Sequence, residues 1–183
     1  VFDKAQGAKK SGRAMFTSFL SEREYSEFLL RQKNIDDIPV TISGGFEGAG
    51  RVMLCFSEDE EQFPIEAILV LGKGIENLKH PDLLGSIMSL GIERGCVGDI
   101  VKDENHWVVF AENTIAGYIA DSLTEVGGVY VSCQCVQAGD IEVTHQFEEI
   151  TGTVSTLRAD SVVAVMLKTS RSKAQDYITG QRF

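Results

Sequence analysis

The sequence predicts an α+β protein with mixed or antiparallel sheets, organised as two small α/β sandwich-like units followed by a helical segment. Stretches that alternate apolar and polar residues, as strands do, follow stretches with apolar residues at helical spacing, in no regular order. Short links join several predicted strands as hairpins, which favours antiparallel pairing over a doubly wound parallel sheet. With 183 residues, 43% of them apolar, the chain is long enough to bury a core.

The first predicted unit covers residues 1–76 and places a helix before a sheet. Within the helix predicted at residues 16–34, Ser21 stands three residues before Glu24, which is the pattern of a capping box. The glycine-rich stretch GGFEGAG lacks the lysine of a phosphate-binding loop, so a turn is predicted there. Three strands are predicted in this unit, at residues 38–45, 51–58 and 65–72.

The second predicted unit covers residues 77–152 and mixes helices with strands. Pro81 lies in the first turn of one predicted helix, where proline is tolerated, and Asn113 is the predicted cap of the next helix. Residues 100–110 are predicted to form a hairpin. The stretch GVYVSCQCVQ, residues 128–137, alternates between two faces as a strand does.

The third predicted unit covers residues 153–183 and follows a strand predicted at residues 149–154. Its first helix is predicted at residues 157–167, and its second helix begins after Ser170, a favoured N-cap. Cationic side chains near the start of that second helix are mildly unfavourable, unless an anion is bound there. The pattern therefore indicates a phosphate contact at this helix start.

The charge is distributed unevenly along the chain. The net charge of −10 argues against a nucleic-acid partner when it is taken as a whole. From residue 153 onward, however, five Lys or Arg residues stand against two acids, so this segment carries +3 and the remainder carries −13. We expect the basic segment to bind an anionic partner and the acidic body to leave room for a basic protein partner.

The cysteines indicate neither a disulfide framework nor a metal site. They form no CxxC pair and have no regular spacing, so we expect reduced thiols in a cytoplasmic protein. No apolar run reaches the length of a membrane helix, so no membrane partner is expected, and no cofactor is predicted. The four residues are Cys55, Cys96, Cys133 and Cys135.

The third unit resembles the opening of an S4 RNA-binding domain. That module has an Arg-x-Asp at its first helix and a Ser-Arg at its second, followed by an Ala and an Ile or Leu. The matching residues are Arg158, Asp160, Ser170, Arg171, Ala174 and Ile178. An S4 domain continues into a strand and a β-hairpin, and Phe183 stands at the first residue of that strand. The resemblance therefore implies an S4 domain that is cut short.

The stretch KHPDLLGSIMSLGIERGCVGDIV is similar to the signature of the YlmH family, roughly H-R-D-x-L-G-S-L-x-x-L-G-I-x-R-x-x-I-G-D-I. The stretches FTSFL and GGFEGAGR also match patterns of that family. Gly50 stands where the family has Glu, so the pairing of that Glu with a neighbouring Arg is not expected here. The matching signature residues are His80, Asp82, Leu84, Gly85, Ser86, Leu90, Gly91, Ile92, Arg94, Gly98, Asp99 and Ile100.

Together the two resemblances imply a bacterial, cytoplasmic RNA-binding protein. Its N-terminal α/β region and its S4 module would both be RNA-binding parts, and its partner would be ribosomal or other structured RNA, with a ribosomal subunit as the larger target. The family is also associated with cell division. The residues expected to contact RNA are Arg158, Lys168, Ser170, Arg171, Lys173, Arg182 and Arg51.

Two other functions stay open at the level of the sequence. One is a protein-interaction adaptor that uses the acidic body. The other is an RNA-modifying enzyme anchored by the S4 module, with Asp82, Glu93 and Asp99 as the available acids. Nothing in the spacing of these acids marks a reaction, so non-catalytic RNA binding is the main prediction.

Overall fold

The structure, a computed structural model, falls into two compact units, Val1–Thr144 and His145–Phe183. The strand pairs among the described residues are all antiparallel, which confirms the α+β class. The structure describes residues 1–32, 38–103, 105–143, 151–154 and 156–179.

A three-stranded sheet opens the first unit. Helix α1 (Phe2–Ser11) precedes strand β1 (Met15–Phe16), and helix α2 (Glu22–Arg31) precedes β2 (Val40–Ser43) and β3 (Met53–Phe56). The strand order is β1-β3-β2, with β3 in the middle. Helix α1 was not predicted, because its segment has no apolar stripe beyond two small buried alanines.

The capping box at the start of α2 is confirmed. The hydroxyl of Ser21 accepts a hydrogen bond from the backbone N–H of Glu24 (3.3 Å), and the carboxylate of Glu24 accepts one from the backbone N–H of Ser21 (2.7 Å). The hydrogen bonds from Ser21 lower the pKa of Glu24. The helix begins later than predicted because the residues before it pair with the sheet, where Leu20 bridges Val52.

The glycine-rich stretch after β2 forms the predicted turn. Gly45 has a φ of 96°, which glycine adopts readily. A Cβ atom on Gly44 would lie 2.2 Å from the Cβ of Ala49 and 2.5 Å from the carbonyl oxygen of Arg51. The two glycines therefore allow the chain to close tightly before β3.

A five-stranded sheet and two helices form the rest of the first unit. The order of this sheet is β5-β6-β4-β8-β7, and β4 is central, paired with both β6 and β8. The predicted boundary between residues 76 and 77 therefore runs through one sheet, and the structure groups residues on both sides of it in one unit. The elements are β4 (Ile65–Gly72), α3 (His80–Ser89), β5 (Val97–Lys102), β6 (Trp107–Glu112), α4 (Asn113–Ser122), β7 (Glu125–Val126) and β8 (Val129–Gln137).

The two faces of this sheet bury two apolar clusters. On the first face, α3 and α4 pack over buried residues that include Ile68, Val70, Leu83, Ile87, Val109 and Ile119. On the second face, Ala67 and Phe110 of the large sheet are buried with Phe19 and Met53 from the region of the small sheet. The two sheets consequently share a core.

Two further predictions have different outcomes. The alternation predicted for β8 is confirmed, since Val131 and Cys133 are half-buried whereas Tyr130 and Ser132 are exposed. The predicted cap at Asn113 is wrong: Asn113 is the first residue of α4, and the N-cap is Glu112, without a side-chain capping hydrogen bond.

The second unit contains two helices in its described part, α5 (Ala159–Met166) and α6 (Arg171–Thr179), which pack against each other. Of the strand predicted at residues 149–154, residues 149 and 150 lie outside the described residues, and residues 151–154 form no strand. Throughout the described ranges, no helix combines the length and the apolar character needed to span a bilayer.

Candidate nucleic-acid interface

The starts of α5 and α6 meet at the carboxylate of Asp160. Its Oδ1 accepts hydrogen bonds from Arg158 Nε (3.1 Å) and from the backbone N–H of Ser161 (3.1 Å), and its Oδ2 accepts one from Arg171 Nη2 (2.8 Å). The Asp160 side chain is 10% exposed, whereas those of Arg158 and Arg171 are 65% and 57% exposed. One buried acid thus holds two guanidinium groups next to each other at the surface.

Ser170 caps α6 as predicted. Its hydroxyl accepts a hydrogen bond from the backbone N–H of Lys173 (3.3 Å), and its carbonyl accepts one from Ala174 (2.9 Å). Ala174 is fully buried, so the helix start is fixed against the rest of the unit. The capping hydroxyl and the first N–H groups of α6 therefore have defined positions beside Arg171.

Lys168 lies at the turn between the two helices in a left-handed conformation, with φ at 47°. Its N–H donates to Val165 (3.1 Å) and that of Thr169 donates to Ala164 (2.9 Å), which is the hydrogen-bond pattern of a Schellman motif. Glycine is the usual residue at this position, since a side chain is strained there. An exposed cation therefore occupies a site where the backbone disfavours it.

We expect Lys168→Gly to stabilise the α5–α6 pair by about 1 kcal/mol, because it relieves the left-handed strain. Greater protection of the α5 and α6 amides from hydrogen exchange would be the measured result. The matched control is Lys173→Gly, which should destabilise by about 1 kcal/mol because glycine there falls inside a helix. A loss of protection in both variants would contradict the strain at Lys168.

The pKa of the Asp160 carboxyl is lowered to about 2, first by the hydrogen bond from Arg171 and then by that from Arg158. A carboxyl whose pKa is lower in the folded state stabilises the fold fully above the pKa of the unfolded chain. That stabilisation is lost as the pH falls through the folded pKa. The arginine cluster is therefore intact at neutral pH.

We accordingly expect the α5–α6 pair to lose stability between about pH 4 and pH 2. A carbon NMR titration of the Asp160 carboxyl should give a midpoint near pH 2. Asp160→Asn removes the titrating group, so its helix content should depend less on pH in this window. A midpoint near the ordinary aspartate value of about 3.9 would show that the arginines do not hold the carboxylate in solution.

The remaining predicted RNA contacts of the second unit are not all brought together. Arg171 and Lys173 are both exposed. Because residues two apart on an α-helix project in directions about 200° apart, they do not share one face of α6. Arg182 lies outside the described residues. The close grouping is that of Arg158 with Arg171.

Arg51 in the first unit has a role inside the fold, which differs from the predicted RNA contact. Its Nε donates to the carbonyl of Val97 (3.1 Å), and its Nη2 donates to those of Phe19 (2.9 Å) and Arg94 (3.4 Å). Burial lowers the pKa of this guanidinium. The side chain therefore joins three segments that are distant in the sequence.

Asp99 supports the same junction. Its Oδ2 accepts hydrogen bonds from the backbone N–H groups of Gly50 (2.6 Å) and Arg51 (3.2 Å). A Cβ atom on Gly50 would lie 3.7 Å from that oxygen, so the glutamate of the family pattern would stand beside a second carboxylate. Arg94 completes the junction by donating to the carbonyls of Val97 and Gly98.

Two of the three acids considered for catalysis, Asp82 and Asp99, have structural contacts here. Asp99 holds the turn before β3, and Asp82 accepts a hydrogen bond from the backbone N–H of Lys79 (2.8 Å) at the start of α3. Burial raises the pKa of Cys133 to about 11, so its thiol is protonated at neutral pH. Within the described residues, no group of three or more His, Cys, Asp or Glu is placed to hold a metal ion.

Comparisons with known proteins identify the family to which the chain belongs. Residues 59–140 match the model of a family described as "Putative RNA-binding domain in YlmH". The "Ribosome-associated protein quality control protein P2" of Bacillus subtilis (strain 168) is 31% identical over 173 residues, which is 91% of this chain and 67% of the relative. The chain belongs to the YlmH family. A solved YlmH structure, "Cell division protein ylmH" from Streptococcus pneumoniae, matches with a TM-score of 0.64 and 20% identity over 74% of this chain and 86% of the other. At that identity the match shows a shared fold.

The YlmH signature contains two residues whose roles were not predicted. Arg94 and Asp99 both belong to the stretch GIERGCVGDI, and the structure turns both towards the junction at Arg51. The signal was present in the sequence, since two charged residues stand beside apolar residues in a stretch leading into a strand. The partners of the Asp99 carboxylate, Gly50 and Arg51, lie more than forty residues away, so the pattern alone could not identify them. The side chain of Arg94 donates to nearby carbonyls, but Arg51, which shares its acceptor Val97, is equally distant.

Proposed function

We propose that this chain is a non-catalytic, cytoplasmic RNA-binding protein that engages ribosomal or other structured RNA through the starts of α5 and α6. The observation that supports this most is the pair of exposed guanidinium groups of Arg158 and Arg171, held together by the carboxylate of Asp160. Guanidinium groups bind phosphate oxygens in a fixed fork geometry, so two of them in fixed positions suit an RNA backbone.

The relatives support the same function. The matching family model, described as "Putative RNA-binding domain in YlmH", covers residues 59–140 in the first unit, so it supports RNA binding by the chain and not the contact at α5 and α6 in particular. The name of the Bacillus relative describes that protein as ribosome-associated. The order Arg-x-Asp and then Ser-Arg at the two helix starts is that of an S4 module. We therefore assign Arg158, Lys168, Ser170 and Arg171 to the RNA contact, which gives three cationic groups for phosphates.

The charge distribution indicates which part of the chain contacts RNA. The last 31 residues carry +3 and the remainder carries −13, so the basic segment is the part of the chain whose net charge attracts an RNA backbone. Structured RNA is recognised largely through its shape, its phosphates and its 2′-hydroxyl groups, for which a small basic surface is sufficient.

The test is to measure binding of the whole chain to purified ribosomal subunits and to a structured ribosomal RNA fragment over a range of salt concentrations. Each phosphate contact should contribute about 0.7–0.9 to the log–log salt slope, so three contacts predict a slope of roughly −2 to −3. Absence of binding to both, or binding that does not depend on salt, would refute the proposal. Binding to subunits but never to RNA would assign the function to a protein partner instead.

A further inference from the structure

A cavity of about 470 Å³ opens in the first unit. It lies where the turn after β2, the start of β4, the start of α4 and the end of β8 come together. Its volume is within the usual range for small-molecule sites and is large enough for one nucleobase. We call it the amide pocket, after its side chains Gln62, Phe63, Glu66, Asn113 and Gln137.

One wall of the amide pocket is apolar and carries a flat ring. Phe63 is half-buried, and its ring packs edge-to-face against Phe16 with the centroids 5.5 Å apart and the planes at 70°. Pro64 and Ile65 continue this wall. An aromatic ring that is held in place on one edge offers its face to a planar ligand, and bases of single-stranded RNA stack on such rings.

The other side of the amide pocket is polar. Glu66 and Gln137 are directly opposite each other on β4 and β8, so their side chains stand next to each other. Asn113 is placed by its backbone N–H, which donates to the carbonyl of Pro64 (2.9 Å). The side-chain amides of Gln62, Asn113 and Gln137 make no hydrogen bond to another described residue, so their donors and acceptors are available to a ligand.

The charge of the lining selects the kind of ligand. The described residues that line the pocket include one carboxylate, that of Glu66, and no Lys or Arg. A phosphate would therefore be repelled. A neutral, planar group that donates hydrogen bonds to the carboxylate and exchanges hydrogen bonds with the amides would be accepted.

We propose that the amide pocket binds an unpaired guanine base of the RNA, an inference that rests on the proposed function. The Watson–Crick edge of guanine presents two adjacent donors, N1–H and N2–H, to the two oxygens of Glu66, and its O6 accepts a hydrogen bond from a side-chain amide. The ring stacks on Phe63. Uracil would instead turn its carbonyl groups towards the carboxylate. The pocket thereby reads a base, a contact that carries sequence information which phosphate contacts lack.

The test compares two labelled oligonucleotides of about six residues, an oligouridylate and the same strand with one central guanine. Binding to the whole chain is measured by fluorescence anisotropy. The guanine should improve the affinity by about tenfold, and Glu66→Gln should abolish this preference by replacing an acceptor with a donor. Glu125→Gln, an exposed carboxylate on β7 of the same sheet, is the matched control and should leave the preference unchanged.

Asn113→Ala provides a second variant at an exposed position, and it should reduce the guanine preference without altering the salt slope. Equal binding of both oligonucleotides by the unaltered chain, or a guanine preference that survives Glu66→Gln, would overturn the inference. If the unaltered chain shows no guanine preference but its RNA affinity still falls steeply with salt concentration, the inference about the amide pocket is refuted and the proposed function stands. If the guanine preference is present while substitutions in α6 have no effect on RNA affinity, the assignment of the RNA contact to the starts of α5 and α6 is refuted.

Discussion

Arg171→Ala combined with Lys173→Ala is expected to weaken binding to structured RNA by at least about tenfold, since hydrogen bonds to charged groups are strong. The lost phosphate contact of Arg171 should also make the log–log salt slope shallower by about 0.7–0.9, and Lys173, on another face of α6, should add less. The structure gives the physical reason. The Arg171 guanidinium is held 2.8 Å from Asp160 and remains 57% exposed, so it is positioned for the backbone before RNA arrives.

The matched control for this double variant is Lys4→Ala with Lys10→Ala. Both residues are exposed on α1 of the first unit, and their removal changes the net charge by the same amount. The control should retain most of the affinity. Arg171→Lys keeps the charge but loses the guanidinium fork, and it should give an intermediate result. A salt slope that is identical in all four proteins would exclude α6 as the contact surface.

Arg51→Ala is expected to lower the free energy of unfolding of the first unit by about 3 kcal/mol. The substitution removes three hydrogen bonds to the carbonyls of Phe19, Arg94 and Val97 and the packing of the guanidinium between them. The carbonyl of Val97 keeps its hydrogen bond from Arg94 and that of Arg94 keeps its bond from the Val97 N–H, so the main cost falls on the carbonyl of Phe19. Urea unfolding followed by Trp107 fluorescence would measure the change, since this buried residue reports on the five-stranded sheet. The salt slope of RNA binding should not change.

Arg23→Ala is the control for Arg51→Ala. The Arg23 side chain is 79% exposed and its ion pair with Glu27 lies on the surface of α2, so its loss should change the stability by less than about 0.5 kcal/mol. The opposite result at Arg51, unchanged stability with weaker RNA binding, would support the contact that the sequence predicted for it.

Local signals in the sequence were sufficient for much of the fold. Strand β4 occupies the predicted residues, and the caps at Ser21 and Ser170 form as expected, because each depends on residues a few positions apart. Strand order depends on contacts between distant residues, so the grouping of β4 with β6 and β8 was not predicted. Helix α1 has only small residues on its buried side and therefore gave no periodic signal.

The sequence indicated which kinds of residue form the candidate site, but it did not indicate how they are arranged in space. The density of cations around Ser170 was visible in the sequence, but the convergence of Arg158 and Arg171 on one buried carboxylate depends on how two helices pack. The internal hydrogen bonds of Arg51 were not predicted for a related reason. A lone arginine after a glycine turn looks solvent-exposed until its acceptors, more than thirty residues away, are known.

The junction at Arg51 has a consequence for the order in which the chain acquires structure during synthesis. The small sheet has strands of two and four residues, and short isolated sheets are marginal in water. Its attachment requires the carbonyls of Arg94 and Val97. In a nascent chain the small sheet therefore remains unsecured until Arg94 and Val97 have also emerged from the ribosome, so it is fixed only together with the start of the five-stranded sheet.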